Sequence, residues 1–334
     1  MSIYKELTYT NRKSGISYNK LNIMRGIACV FVILIHSPLP LPIGEYIISI
    51  GRFAVPFFIV ASGYFSYYDD AKIAQKKVVK HLKKIGRLLA FVVILYSISN
   101  SIVCYIQYRE FYRWIVEAIT FDNIIKLVIF NRAVFLCSIA YYLLMLIYVY
   151  VIYKHIIDRN LLRLSYKFIP VLLLLNIVIN EIIGLEWFYV GNWLLTGLPF
   201  FLLGNYLHSL DIRKKIKPYS CIGLVIVGVI LSVLETVFFG SFYCSLGTVV
   251  LVIGIFLFCI LNDKTSIFNK LLGDLIRKYS EVLFLIHLAV RDLLILFGVI
   301  TAEPSWTSFL IVFLVSVIIT SIYLGASRWK VNAK

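Results

Sequence analysis

Acidic residues are the scarcest class in this chain of 334: 17 Asp and Glu stand against 33 Lys and Arg, and all charged residues together make up only 15%. Soluble domains are typically about a quarter charged and about half apolar. A chain that is 61% hydrophobic is therefore not built to face water on all sides. Cysteine is sparse as well. Cys29, Cys104, Cys137, Cys221, Cys244 and Cys259 all sit inside apolar stretches at no zinc-like spacing. They read as small buried hydrophobes, which excludes a disulfide framework and a metal site. There is no internal repeat, no low-complexity stretch and no soluble domain marked off by a change in composition. The first apolar run lacks a small-residue cleavage pattern and is followed by Pro38, Pro40 and Pro42, so it is expected to remain as a membrane helix.

What is abundant is long apolar runs. A bilayer crossing needs about 17–25 mostly apolar residues. Ten such windows lie near 21–38, 46–67, 88–106, 134–153, 168–184, 192–209, 219–239, 243–262, 281–300 and 306–326. The expected fold is an all-α polytopic membrane protein of about ten helices, forming a single integral-membrane domain over 1–334. Alternate loops between these windows hold 27 of the 33 basic residues. That bias places both termini in the cytoplasm, and it accounts for the net charge of +16 without a nucleic-acid partner. The one sizeable segment on the other side, 107–133, mixes charges with Tyr, Phe and Trp, a pattern that fits an interfacial amphipathic helix or a lid.

Polar residues inside a membrane are costly and usually functional. The first helix contains "RGIACVFVILIH", in which Arg25 and His36 are eleven residues apart. At about 1.5 Å and about 100° per residue, they share one face roughly 16 Å apart. Arg25 lies at the cytoplasmic end and His36 at the far end, where Pro38 stops the helix. The second window, "GRFAVPFFIVASGYFSYY", carries Arg52, which needs a counter-ion, water or an anionic ligand. Its Ser62–Gly63 pair suits close helix contact. Before the third window, "KKVVKHLKKIGRLL" offers Lys83, Lys84 and Arg87, which act as topology anchors or as donors to a nucleotide-like phosphate. His287 and Arg291 are one turn apart in the ninth window, with Asp292 available to pair with Arg291. Asn176, Asn180, Glu181 and Glu235 are candidates to line a polar cavity.

"LNIMRGIACVFVILIH", "RFAVPFFIVASGYF" and "HLKKIGRLL" resemble, in order, three signatures of the membrane-bound acyltransferase family 3, which includes bacterial polysaccharide O-acetyltransferases. Arg25 and His36 match a basic residue, a ten-residue gap and a histidine, while Lys84 and Arg87 fill the two basic places of the third signature. Fainter echoes are "IAYYLLMLIYVYVIY", "LPFFLLGNYL" and "SEVLFLIHLAV". The chain departs from the pattern at Asn22, where many members have an acid, and at Tyr141–Tyr142, where tryptophan is common.

The resemblance implies a multi-pass protein of the bacterial cytoplasmic membrane, surrounded by membrane lipid. It implies acetyl-CoA as co-substrate, with no permanently bound cofactor, and a glycan or lipid-linked glycan as acceptor on the outside. Lys83, Lys84 and Arg87 would then hold CoA phosphates. His36 would be the general base and Arg25 would line the path between them. Arg52 would orient the acceptor or stabilise the oxyanion, with Ser62, Gly63 and His287 in acceptor-side or structural roles. The competing expectation from buried Arg52, His287, Arg291 and Glu235 is a transporter or exporter of a polysaccharide or an acylated intermediate.

Overall fold

A computed structural model describes residues 18–133, 139–212, 215–240, 243–261 and 267–332. Cys137 and the basic residues Lys5, Arg12, Lys13, Arg213, Lys214, Lys264 and Lys334 lie outside them. Among the described residues every regular element is helical. In chain order these are α1 (Asn19–His36), α2 (Ile43–Gly51), α3 (Ala54–Tyr64), α4 (Ala71–Tyr108), α5 (Arg113–Ala118), α6 (Phe121–Phe130), α7 (Ala140–Asp158), α8 (Leu162–Tyr166) and α9 (Phe168–Ile177). Then come α10 (Trp187–Val190), α11 (Leu198–Ser209), α12 (Pro218–Phe239), α13 (Leu246–Ile260), α14 (Ile267–Leu296) and α15 (Trp306–Asn332). Val178–Ile183 and Trp193–Gly197 are short π-helical turns that continue α9 and lead into α11.

Among the described residues, seven helical runs are long and apolar enough to cross a membrane: Asn19–His36, Ile43–Tyr64, Ala71–Tyr108, Ala140–Asp158, Leu162–Ile183, Pro218–Phe239 and Trp306–Ala326. Leu246–Ile260 is apolar but shorter. The ten windows read from the sequence fall mainly on helix where they are described. The protein is therefore an all-α polytopic membrane protein.

Local chemistry explains the breaks. α1 stops at His36, just before Pro38. Between α2 and α3 the helix is interrupted at Arg52–Phe53 because Pro56, four residues on, has no N–H to give the Arg52 carbonyl. α4 starts seventeen residues before the third apolar window because Asp70 caps it, accepting from the Lys72 and Ile73 amides at 2.8 and 3.4 Å. At 38 residues it is about 57 Å long. The hydrocarbon core is only about 30 Å thick, so the basic cluster is the exposed half of this helix and not a loop.

The helix that carries His287 runs parallel to α1. Asn19 lies beside Gly273, Gly26 beside Ile276, and the Cys29 thiol points to the Ser280 carbonyl at 3.6 Å. His36 completes the series by facing His287. α4 also packs against α14, where the Tyr96 hydroxyl donates to the Leu285 carbonyl and accepts from the Ala289 amide, both at 3.2 Å. α3 and α11 cross closely at two glycines. A Cβ on Gly63 would fall on the Phe201 carbonyl oxygen, and one on Gly204 on that of Val60. Asn205 seals the crossing by donating to the Gly63 carbonyl at 3.2 Å.

Candidate active site

The parallel pairing of α1 with α14 makes two polar clusters, one at each end of α1. At the His36 end the His36 and His287 rings are 5.5 Å apart, centroid to centroid. His287 is buried, and its Nδ1 lies 3.2 and 3.0 Å from the carbonyls of Leu283 and Phe284. A carbonyl only accepts, so Nδ1 carries the proton and Nε2 is left as the second ring nitrogen. That Nε2 is buried and has no hydrogen-bond partner among the described residues. Phe284 is wedged between Phe58 and Tyr142, at 6.0 and 5.4 Å, and walls the pair from the α3 and α7 sides. Arg52 and Arg291 also lie close enough to bear electrostatically on His36. Arg291 is paired with Asp292 at 3.4 Å.

Arg52 is placed by the helix break. Gly51 packs against Phe31, and the Phe31 and Phe53 rings are 5.4 Å apart. This sets Arg52 level with Phe31, five residues and about 7.5 Å before the end of α1. Its guanidinium carbon stands 5.6 Å over the Tyr243 ring, and its Nε is buried without a partner. Tyr243 shares a hydroxyl–hydroxyl hydrogen bond of 3.2 Å with Tyr141. Trp187 lies against both rings, at 5.4 Å from Tyr141 and 6.0 Å from Tyr243. Sequence reasoning missed this aromatic wall. Tyr243 is the first residue of the eighth apolar window, where periodicity carries little information.

Between α4 and α7 the chain forms two short helices, α5 and α6. Asn131 ties it down, donating to the Tyr141 carbonyl at 3.1 Å and accepting from the Trp193 amide at 2.8 Å. Arg132 stacks over Phe188 at 4.5 Å.

At the other end, Arg25 of α1 and Glu281 and Arg277 of α14 lie within electrostatic reach of Lys84 of α4. Arg277 is buried and reaches Asp274 at 3.8 Å. Of the three basic residues singled out on α4, only Lys84 turns partly inward, while Lys83 and Arg87 are exposed. Glu281 supplies a negative charge on this side that Asn22 does not. Sequence reasoning had counted Arg277 only as a loop cation.

Several other candidates are structural. The Ser62 hydroxyl donates to the Phe58 carbonyl at 2.8 Å, one turn back on its own helix. Gly63 serves the α3–α11 crossing. Asn176 donates to the Leu195 carbonyl at 2.8 Å and to the Thr196 hydroxyl at 2.9 Å, and Asn180 to the Cys244 carbonyl at 2.9 Å. Glu235 accepts from the Gly247 amide at 3.0 Å and so caps α13. Among the described residues no group of three His, Cys, Asp or Glu side chains is placed to hold a metal.

The two clusters thus pair a cationic mouth with a histidine pair at opposite ends of one helix. No curated protein and no solved structure matches the chain. Residues 18–325 do match the model of an acyltransferase domain, and with more than nine-tenths of its length covered the chain belongs to acyltransferase family 3.

Proposed function

We propose that this membrane acyltransferase moves an acetyl group from cytoplasmic acetyl-CoA to a hydroxyl of an extracytoplasmic saccharide, in the bacterial cytoplasmic membrane, with His36 as the general base. The observation that supports this reading is the placement of His36. Among the described residues nothing hydrogen-bonds its imidazole, it faces His287 at 5.5 Å, and it closes the helix whose opposite end holds Arg25 near Lys84.

The residues of the chain would act in sequence. Lys84 and Arg25, with Lys83 and Arg87 further out, hold the phosphates of CoA through charge-assisted hydrogen bonds. The pantetheine arm follows the Arg25–His36 face. The acceptor oxygen attacks the thioester carbonyl carbon as the His36 imidazole takes the hydroxyl proton. The carbon–sulfur bond then breaks, the sulfur takes up that proton, and CoA leaves as the free thiol. His287 steadies the His36 ring by packing. A pathway through an acetyl-Ser62 has no base beside the hydroxyl and uses one already committed to Phe58.

The test is vectorial. Protein in liposomes receives labelled acetyl-CoA on the Arg25 side and a saccharide acceptor on the His36 side. Label should appear on the acceptor, and His36→Ala should lower the rate by roughly 10²–10⁴-fold, the usual contribution of a general base. Transfer by His36→Ala at the wild-type rate would sink the mechanism.

A further inference from the structure

Among the described residues, the ionisable groups that bear electrostatically on His36 are all of the basic type: His287, Arg291 and Arg52. Arg291 has Asp292 beside it, at 3.4 Å. Arg52 has nothing comparable. Among the described residues no carboxylate pairs with it. The groups that bear on it electrostatically are the hydroxyls of Tyr243 and Tyr141, and its buried Nε is unpartnered. An ionised guanidinium at this depth, left without an acid, is costly unless something anionic completes it.

The surroundings indicate what completes it. The Tyr243 ring lies over one face of the guanidinium, and the in-plane edge is the side from which its N–H groups donate. That edge matches the paired oxygens of a carboxylate or a phosphate. The wall formed by Tyr141, Tyr243 and Trp187 runs from Arg52 to a partly exposed indole, an apolar surface of the kind on which a sugar ring packs. In the proposed reaction the CoA phosphates go to the cluster at the opposite end of α1, which leaves this second cationic site for the other substrate.

We infer that Arg52 is an acceptor-recognition residue, and that the acceptor is an anionic saccharide whose carboxylate or phosphate docks on the Arg52 guanidinium while a neighbouring hydroxyl reaches His36. This rests on the acyl-transfer reading for its final step but not for its binding step, and the two are separable by experiment.

Purified full-length protein in nanodiscs is titrated with a methyl glucuronoside, a sugar phosphate and the neutral methyl glucoside, following the fluorescence of Trp187 and its neighbours. The wild type should bind at least one anionic sugar about tenfold or more tighter than the neutral one, as a charge-assisted pair requires. Arg52→Gln should bring the affinities together, and Arg52→Lys should keep part of the difference. Arg52→Lys retains the charge and so answers the question if Arg52→Gln does not fold. Equal affinities in the wild type, or a preference that survives Arg52→Gln, would overturn the inference. So would a preference present in zwitterionic phosphatidylcholine discs and lost in phosphatidylglycerol discs, because the site would then belong to a lipid headgroup.

Acetyl transfer to the same three sugars separates the two readings. Transfer without anion preference keeps the acyltransferase reaction and removes the Arg52 site. Anion-selective binding without transfer to any sugar does the reverse. An equal loss of transfer to neutral and anionic sugars in Arg52→Gln would make Arg52 an oxyanion donor and overturn its role in recognition.

Discussion

His36 and His287 come from helices about 250 residues apart in the chain and meet with ring centroids 5.5 Å apart and planes inclined by 41°. His287 is held by two backbone carbonyls of its own helix, whereas His36 has no hydrogen bond of that kind among the described residues. If the two rings act as a unit, their losses will not add. His287→Ala should slow acetyl transfer, and the double variant with His36→Ala should be no slower than His36→Ala alone. A double variant slower by the product of the two single effects would show that the rings act independently.

The donor cluster makes a graded expectation. Lys84 is half-buried near Glu281, Arg25 and Arg277, while Lys83 and Arg87 are exposed. Charged hydrogen bonds contribute about 1.5–3 kcal/mol each, so Lys84→Ala should weaken CoA binding by about tenfold or more. Lys83→Ala and Arg87→Ala should each cost less, because exposed ion pairs are worth about 0–1 kcal/mol. Isothermal titration with CoA measures both, and equal effects at all three positions would remove the distinction.

Ser62→Ala should keep near wild-type transfer. Its hydroxyl is bonded to the Phe58 carbonyl, and alanine at this helical position leaves the backbone pairing intact. A loss of a hundredfold or more, with acetyl label trapped on the wild-type protein, would restore the acyl-serine route.

Gly63→Ala and Gly204→Ala test the α3–α11 crossing. Each new methyl would fall on a backbone carbonyl oxygen of the facing helix, and backbone does not give way as a side-chain end does. Overpacking of this kind costs about 1–3 kcal/mol. Both variants should lower the thermal midpoint in detergent, whereas Gly86→Ala, which meets nothing within 4 Å, should not. A midpoint unchanged in all three would mean that the crossing is looser than described.

Much of this was legible in the chain. The period of α1 alone put Arg25 and His36 on one face, and Pro38 marked its end. Ser62–Gly63 announced close packing, and Arg52 stood out as a charge in need of a partner. The helical continuation of the basic segment was hidden because its lysines resemble a loop, although Asp70 two residues before Lys72 is a cap. The pairing of α1 with α14 is a long-range contact that no local pattern encodes. Asn176, Asn180 and Glu235 looked like cavity linings. They satisfy irregular backbone in the π-turn that leads into α11 and around the start of α13, a demand that arises only once the chain is folded.

α1 joins its two polar ends without interruption, so the distance between Arg25 and His36 is counted in residues. Inserting one residue between Gly26 and Ile35 would turn His36 by about 100° and lift it by about 1.5 Å relative to Arg25. Apolar substitutions along this stretch leave that count unchanged. In the proposed reaction, that count sets how long an arm a donor must have for its thioester to arrive at His36.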